Sequence, residues 1–169
     1  MSDSLQDTAF HIDAAEKNLE RLLEWNSRYD TRASLLLGIT IAMMGALASS
    51  FYQVGDRTWL IYLVAGISAL ALIGSLFVLY QGFFPRTKAP NDSLVYFGTI
   101  AQIDSTAYID SFSKLTPQSY LDDLLNQCHI NARIVNTKFE RLKWSLRLLA
   151  VCLLPWTCAL YLLKISGDT

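Results

Sequence analysis

At 169 residues the chain has room for about one domain with one modest core. Its 14 Lys and Arg nearly cancel its 15 Asp and Glu, which excludes the broad basic field of a nucleic-acid binder. Yet 52% of the residues are apolar and only 17% charged, where soluble domains carry about a quarter, so charge has been withdrawn from part of the chain. Three cysteines without a CxxC pair, and two histidines, His11 and His129, make neither a zinc pattern nor an even disulfide framework.

Residues 8–32 predict a helix. Ile12, Ala15, Leu19, Leu22, Asn26, Tyr29 and Ala33 fall at alternating steps of three and four, a single stripe that needs a partner. Asp13 with Lys17 and Glu24 with Arg28 are acid-before-base pairs at i,i+4, the order that supports a helix. The stripe runs in phase into Leu36 and Leu37, so one helix is expected to pass from water into lipid without a break. Ala33 to Gly55 is 23 residues without an ionisable side chain, and 28 more follow between Arg57 and Arg86. Each exceeds the roughly 20 apolar residues that span a bilayer. The short turn at 53–57 makes the two an antiparallel hairpin. Gly38, Ala42 and Ala46, beside Gly45, place small residues at intervals of four, which lets helices approach closely in lipid or simply reflects membrane-helix composition.

Phe83, Phe84, Pro85 and Arg86 read as an aromatic pair at headgroup level, a helix stopper and a phosphate-compatible cation. Residues 88–91 are a loop, and 93–102 is a short helix or strand that periodicity leaves open. Thr116 followed by Pro117 predicts an N-cap and first helical residue. From there Leu121, Leu124, Leu125, Cys128, Val135 and Leu142 hold a helical stripe as far as a third uncharged run, Leu148 to Leu163. Its 16 residues are bounded by Arg147 and Lys164, whose stems extend its apolar reach; it reads as a third span or as a buried or interfacial helix, with Pro155 as a kink.

The expected fold is therefore all-α, a membrane protein of about three spans in which the N-terminal helix and the helix of the C-terminal half continue from cytoplasm into membrane. Its parts are a cytoplasmic amphipathic helix (1–32), a two-span hairpin (33–84), a cytoplasmic helical sensor or assembly region (85–147), a third span (148–164) and a tail (165–169). Residues 1–32 are too long, polar and acidic for a signal peptide. Lys17, Arg21, Arg28 and Arg32 before the first span, and eight Lys or Arg between the second and third, place the N-terminus and the middle region in the cytoplasm.

Catalytic and metal motifs are missing: there is no phosphate-binding Gly loop, HExxH, GxSxG or CxxC, so no catalytic residue, metal or cofactor is expected. Asp122 and Asp123 point to different helix faces and read as first-turn carboxylates favoured by the dipole. The spans hold no ionisable residue, which argues against a pump. Arg133, Lys138, Arg141, Lys143 and Arg147 scatter around their helix and read as membrane anchors rather than one pocket.

The string AEKNLERLLEWNSRYDTRAS at 15–34, leading into LLLGITIAMMGALAS, resembles the first helix and membrane entry of the Pycsar transmembrane effectors of bacterial antiphage defence. FFPRTKAPNDSLVYFGTIA at 83–101 is similar to that family's post-membrane segment, and NQCHINARIVNTKFERLKWSLRLLAVCLLPW at 126–156 to its closing helix. Arg32 stands where the family pattern has lysine, keeping the charge.

The resemblance implies a partner cyclase that makes cyclic CMP or cyclic UMP on infection, and an effector, no enzyme itself, that responds by impairing the bacterial inner membrane in an abortive infection. It does not imply where the ligand binds. Cations for a cyclic phosphate, an aromatic for the base and amides for its edge nominate Arg86, Tyr96, Gln127, Asn131, Arg133 and Lys138. Asn131 equally fits a register-setting polar residue in a helix bundle. Gly38, Ala42, Gly45 and Ala46 are the expected homo-oligomer packing face. The alternatives are a constitutive holin-like pore-former and a membrane adaptor without a nucleotide ligand.

Overall fold

The computed structural model describes residues 2–55, 58–83 and 93–167. Five helices follow in order, α1 (Ser2–Gln53), α2 (Trp59–Phe83), α3 (Phe97–Ile100), α4 (Ser105–Ser113) and α5 (Pro117–Gly167), with no strand among the described residues. The protein is all-α, and α1, α2 and α5 are each long and apolar enough to cross a membrane. As the unbroken stripe predicted, α1 has no interruption between residues 8 and 53, and α5 continues through Pro155 as one helix.

Local chemistry explains the boundaries. Thr116 Oγ1 accepts from the Ser119 amide at 3.2 Å while Ser119 Oγ accepts from the Thr116 amide at 3.0 Å, a reciprocal cap with Pro117 as the first helical residue. The undecided segment 93–102 holds the one-turn α3, entered from an extended Tyr96. Helix α4 was not anticipated; Asp104 caps it by accepting from the Thr106 amide at 3.0 Å, and Asp110 pairs with Lys114 at 2.6 Å, one turn apart. Asp122 and Asp123 need a correction. They lie in the second turn of α5, beyond the reach of the dipole at the helix end, and Asp123 is held by partners outside the helix.

Each long helix turns one face inward. Among the buried and half-buried positions one series runs 12, 15, 19, 22, 26, 29, 33, 36, 40, 43, 47 in α1; 61, 65, 68, 72, 75, 79, 82 in α2; and 121, 124, 128, 131, 135, 138, 142, 145, 149, 152, 156, 159, 163 in α5, with others such as Leu37, Ala69 and Gln127 flanking it. Steps of three and four without exception give a period of 3.5, the spacing that keeps one face toward a partner helix. Taken every seventh residue, this seam carries a run of small or polar side chains: Asn26, Ala33 and Thr40; Ser68, Ser75 and Gly82; Asn131, Lys138, Ser145, Cys152 and Ala159.

The chain divides into two compact units. The first combines Met1–Arg28 with Arg86–Asn136. Its core is Ala15, Leu121 and Leu124, with Ile12, Leu19, Val95 and Tyr120 against it. Tyr120 donates to Glu16 at 2.8 Å, and the buried Cys128 thiol meets the Ala15 carbonyl at 3.5 Å. Burial pushes the Cys128 thiol up, leaving it inert as a nucleophile.

The second unit combines Tyr29–Pro85 with Thr137–Thr169. Three apolar clusters fill it: Tyr29, Ala33, Leu79 and Leu142; Met43, Leu72, Leu149 and Cys152; and Leu47, Val54, Ile61, Ala65, Ala159 and Leu163. Between them the helices exchange polar contacts. The Ser75 and Ser145 hydroxyls lie 2.7 Å apart, Trp156 Nε1 donates to the Met43 carbonyl at 3.0 Å, and the Cys152 thiol reaches the Ser68 carbonyl at 3.5 Å. Outside, Leu63, Ile67, Leu70, Phe77, Leu153 and Leu154 are exposed. Large apolar groups face outward as well as inward, and small or hydroxyl groups share the interior with the leucines; this suits lipid, where close packing and polar contacts drive association.

Gly82 is the tightest point of this packing. A methyl group placed there overlaps the hydroxyl of Tyr29, and Tyr29 is fully buried with Phe83 and Phe139 edge-on to its ring, so the phenol has no room to swing aside. Gly66 is exposed and a methyl group meets nothing. Gly82→Ala is expected to cost about 1–3 kcal/mol of stability while Gly66→Ala costs little. Thermal unfolding of the two variants in the same detergent checks this; equal midpoints mean that Tyr29 yields at no cost.

Candidate functional site

In the second unit a charged group occupies the seam. Lys138 is only 6% exposed; its Nζ donates to Asp30 Oδ1 at 2.9 Å and stands 5.0 Å from the centre of the Tyr29 ring. A buried ammonium is tolerated only with such compensation, one carboxylate and one aromatic face. The Tyr29 hydroxyl is buried without a hydrogen-bond partner. Burial raises the phenol pKa, the Asp30 charge adds to this and Arg141 opposes it, so the group stays neutral. The cluster holds charge in place; it offers no activated nucleophile.

In the first unit a buried serine organises a turn. Ser93 Oγ accepts from Gln127 Nε2 at 3.0 Å and from the amides of Val95 and Tyr96 at 3.2 and 3.0 Å, and donates to Asp123 Oδ2 at 3.1 Å. Asp123 Oδ2 also accepts from the Leu94 amide at 2.9 Å. These bonds fasten residues 93–96 to the side of α5. Tyr96 lies against Phe97 with ring centres 4.8 Å apart.

The residues nominated from sequence are thus distributed. Tyr96 and Gln127 come together at Ser93; Gln127 is 2% exposed. Asn131 is half-buried and donates to the Gln127 carbonyl at 2.9 Å, one turn back in its own helix. Arg133 is exposed. Lys138 sits in the second unit against Asp30, and Arg86 lies outside the described residues. Gly38, Ala42, Gly45 and Ala46 are all exposed, off the seam, and a methyl group at Gly38 or Gly45 meets nothing within 4 Å.

Sequence reasoning did not find a cleft of about 320 Å³ in the first unit, lined by His11, Ala14, Asn18 and Arg21 of α1 and by Leu121 and Leu125 of α5. Three of its residues carry polar groups, and these follow one another at steps of seven and three, a row beside the apolar stripe. The available signal was the residue four places before each cation. Lys17 and Arg28 have Asp13 and Glu24 there, at 2.7 and 2.6 Å, whereas Arg21 has Lys17.

Comparison with known proteins bears on what this arrangement serves. The family model described as Pycsar effector protein domain matches residues 14–163. The chain is similar to the Pycsar effector protein GmPycTM of Gulbenkiania mobilis, 26% identical over 154 residues, which cover 74% of this chain and 79% of that protein. No solved structure matches. The family match takes in the Ser93 turn, the Asp30–Lys138 pair and the apolar stretches of all three long helices, so this membrane protein belongs to the Pycsar effector family, effectors of antiphage defence that answer a cyclic nucleotide signal from a partner cyclase.

Proposed function

We propose that the chain is a membrane effector silent at rest and switched by a cyclic pyrimidine mononucleotide, cyclic CMP or cyclic UMP, to impair the bacterial inner membrane and abort infection. The observation that carries this, beside family membership, is that α1 and α5 each continue as a single helix from a polar, charge-paired stretch into a membrane-length apolar one. A helix is a stiff element, so a change imposed at its polar end is available to its apolar end. To move the protein from 1:99 to 99:1 the ligand must favour the active state by about 5.5 kcal/mol. Charge-assisted bonds to one phosphate and desolvation of one base are of that order when the resting state lacks the formed site.

In this reading the first unit and the N-terminus are cytoplasmic, and α1, α2 and α5 all cross. The Lys and Arg counts support that orientation. Reporter fusions after Thr169 are expected to report the far side of the membrane; a cytoplasmic signal there means that α5 does not cross.

Several copies are needed to breach a bilayer, since three spans enclose no sizeable aqueous path. The exposed face of Gly38, Ala42, Gly45 and Ala46 supports close approach of a second copy. Gly38→Leu with Ala42→Leu is expected to lower the oligomer mass in detergent and abolish toxicity; unchanged mass and toxicity assign assembly to another surface.

Dye release from liposomes holding the purified protein tests the function itself. Release is expected to rise with cyclic CMP or cyclic UMP and not with cyclic dinucleotides. Equal release with and without nucleotide favours the constitutive pore-former, and no release under any condition favours the adaptor.

A further inference from the structure

We infer that the cleft of the first unit is the nucleotide site, with Arg21 taking the cyclic phosphodiester and Asn18 reading the ligand's polar edge; this rests on the nucleotide-switched reading above. The cleft is open to solvent and near the lower end of the roughly 300–1,000 Å³ of small-molecule sites. Its chemistry is graded along α1. Arg21 uses Nε on the Lys17 carbonyl at 3.2 Å, and among the described residues no acid lies within ion-pair distance of its guanidinium, which leaves both terminal nitrogens to offer a phosphate oxygens in a bidentate grip.

The other cations of this unit on α1 are committed, Lys17 to Asp13 and Arg28 to Glu24. At the opposite end His11 stands 3.4 Å from Asp7, whose negative charge disfavours an anion there. Residues 11 and 21 are about 15 Å apart at 1.5 Å per residue, so the phosphate belongs at the Arg21 end and the base toward His11. Asn18, one turn from Arg21, has a side-chain hydrogen bond to the buried Cys128, which fixes its amide in the cleft wall; the groups this leaves supply a polar contact for the edge of a pyrimidine. The opposite wall is apolar. Leu125 is 51% exposed in a unit placed in water, a surface that a ribose and base would cover.

The test is calorimetric titration of the full-length protein in lipid nanodiscs with cyclic CMP, cyclic UMP and inorganic phosphate. Arg21→Ala is expected to weaken nucleotide binding about tenfold or more and Arg21→Lys to restore part of it. Ala14→Trp, at an exposed position lining the cleft, should block binding by filling it, with the unfolding midpoint compared to confirm that the variant is folded. Lys114→Ala removes the same charge from α4, away from the cleft, and should leave affinity within about twofold. Wild type that binds nucleotide while Arg21→Ala and Ala14→Trp bind equally well overturns the cleft assignment and leaves the nucleotide-switched function standing. Inorganic phosphate bound as tightly as the nucleotides overturns it too, as an unselective anion site. Wild type that binds neither nucleotide overturns the site and the function together.

Discussion

One periodicity, 3.5 residues, has to serve two solvents, and most of the structure follows from that. In water the seam is held by the apolar area it removes, and Ile12, Ala15, Leu19, Leu121 and Leu124 suffice. In lipid that force vanishes, because the outward leucines are as well solvated as the inward ones. The same periodicity must then be filled with groups that gain from close approach. Hence Ser68, Ser75, Ser145, Cys152 and Gly82 lie inside while Leu70, Phe77 and Leu154 lie outside. The period never changes along α1 or α5; only the chemistry of the seam does.

A strict heptad of small and polar residues carries a hazard, since sliding α5 by seven residues would exchange Lys138 for Asn131 or Ser145 and leave the sterics almost unchanged. The Asp30–Lys138 pair breaks that degeneracy. Slipped in either direction, the ammonium loses its carboxylate and its aromatic face in a buried position, at a cost of about 3–5 kcal/mol. The pair contributes little net stability in its proper register, because the desolvation of the buried ammonium offsets its attraction to the partly exposed Asp30. Its physical role is to choose between arrangements, as a single polar residue does in a coiled coil.

What was legible in the sequence divides by range. Ile12 to Ala33 and Leu121 to Leu142 announced their buried faces because burial on a helix repeats locally, and Thr116 with Pro117 announced the start of α5 because capping acts within four residues. Asp30 and Lys138 are 108 residues apart, and nothing near either names the other; Lys138 therefore read as a free cation. Ser93 was equally opaque, its clasp depending on Asp123 and Gln127 some thirty residues on. Helix α4 was missed for another reason: Asp104 and the Asp110–Lys114 pair are local signals, but nine residues without a buried side chain give no stripe to read. The cleft needed both α1 and α5, and only the missing acid four places before Arg21 hinted at it.

The magnitudes indicate which part of the molecule a ligand is able to rearrange. Within their apolar stretches the described residues of α1, α2 and α5 exchange polar contacts that include Ser75 with Ser145, Trp156 with Met43 and Cys152 with Ser68. Such contacts in a membrane average about 0.6 kcal/mol each, so together they resist repacking by about 2 kcal/mol beyond van der Waals fit. Under the switched reading proposed above, a ligand that moves the balance from 1:99 to 99:1 has to supply about 5.5 kcal/mol. That exceeds the polar resistance within the spans, and most of it would be consumed if Lys138 also had to leave Asp30. If the chain is switched as proposed above, the cheapest active state is one that repacks the apolar ends of α1, α2 and α5 around an intact Asp30–Lys138 pair.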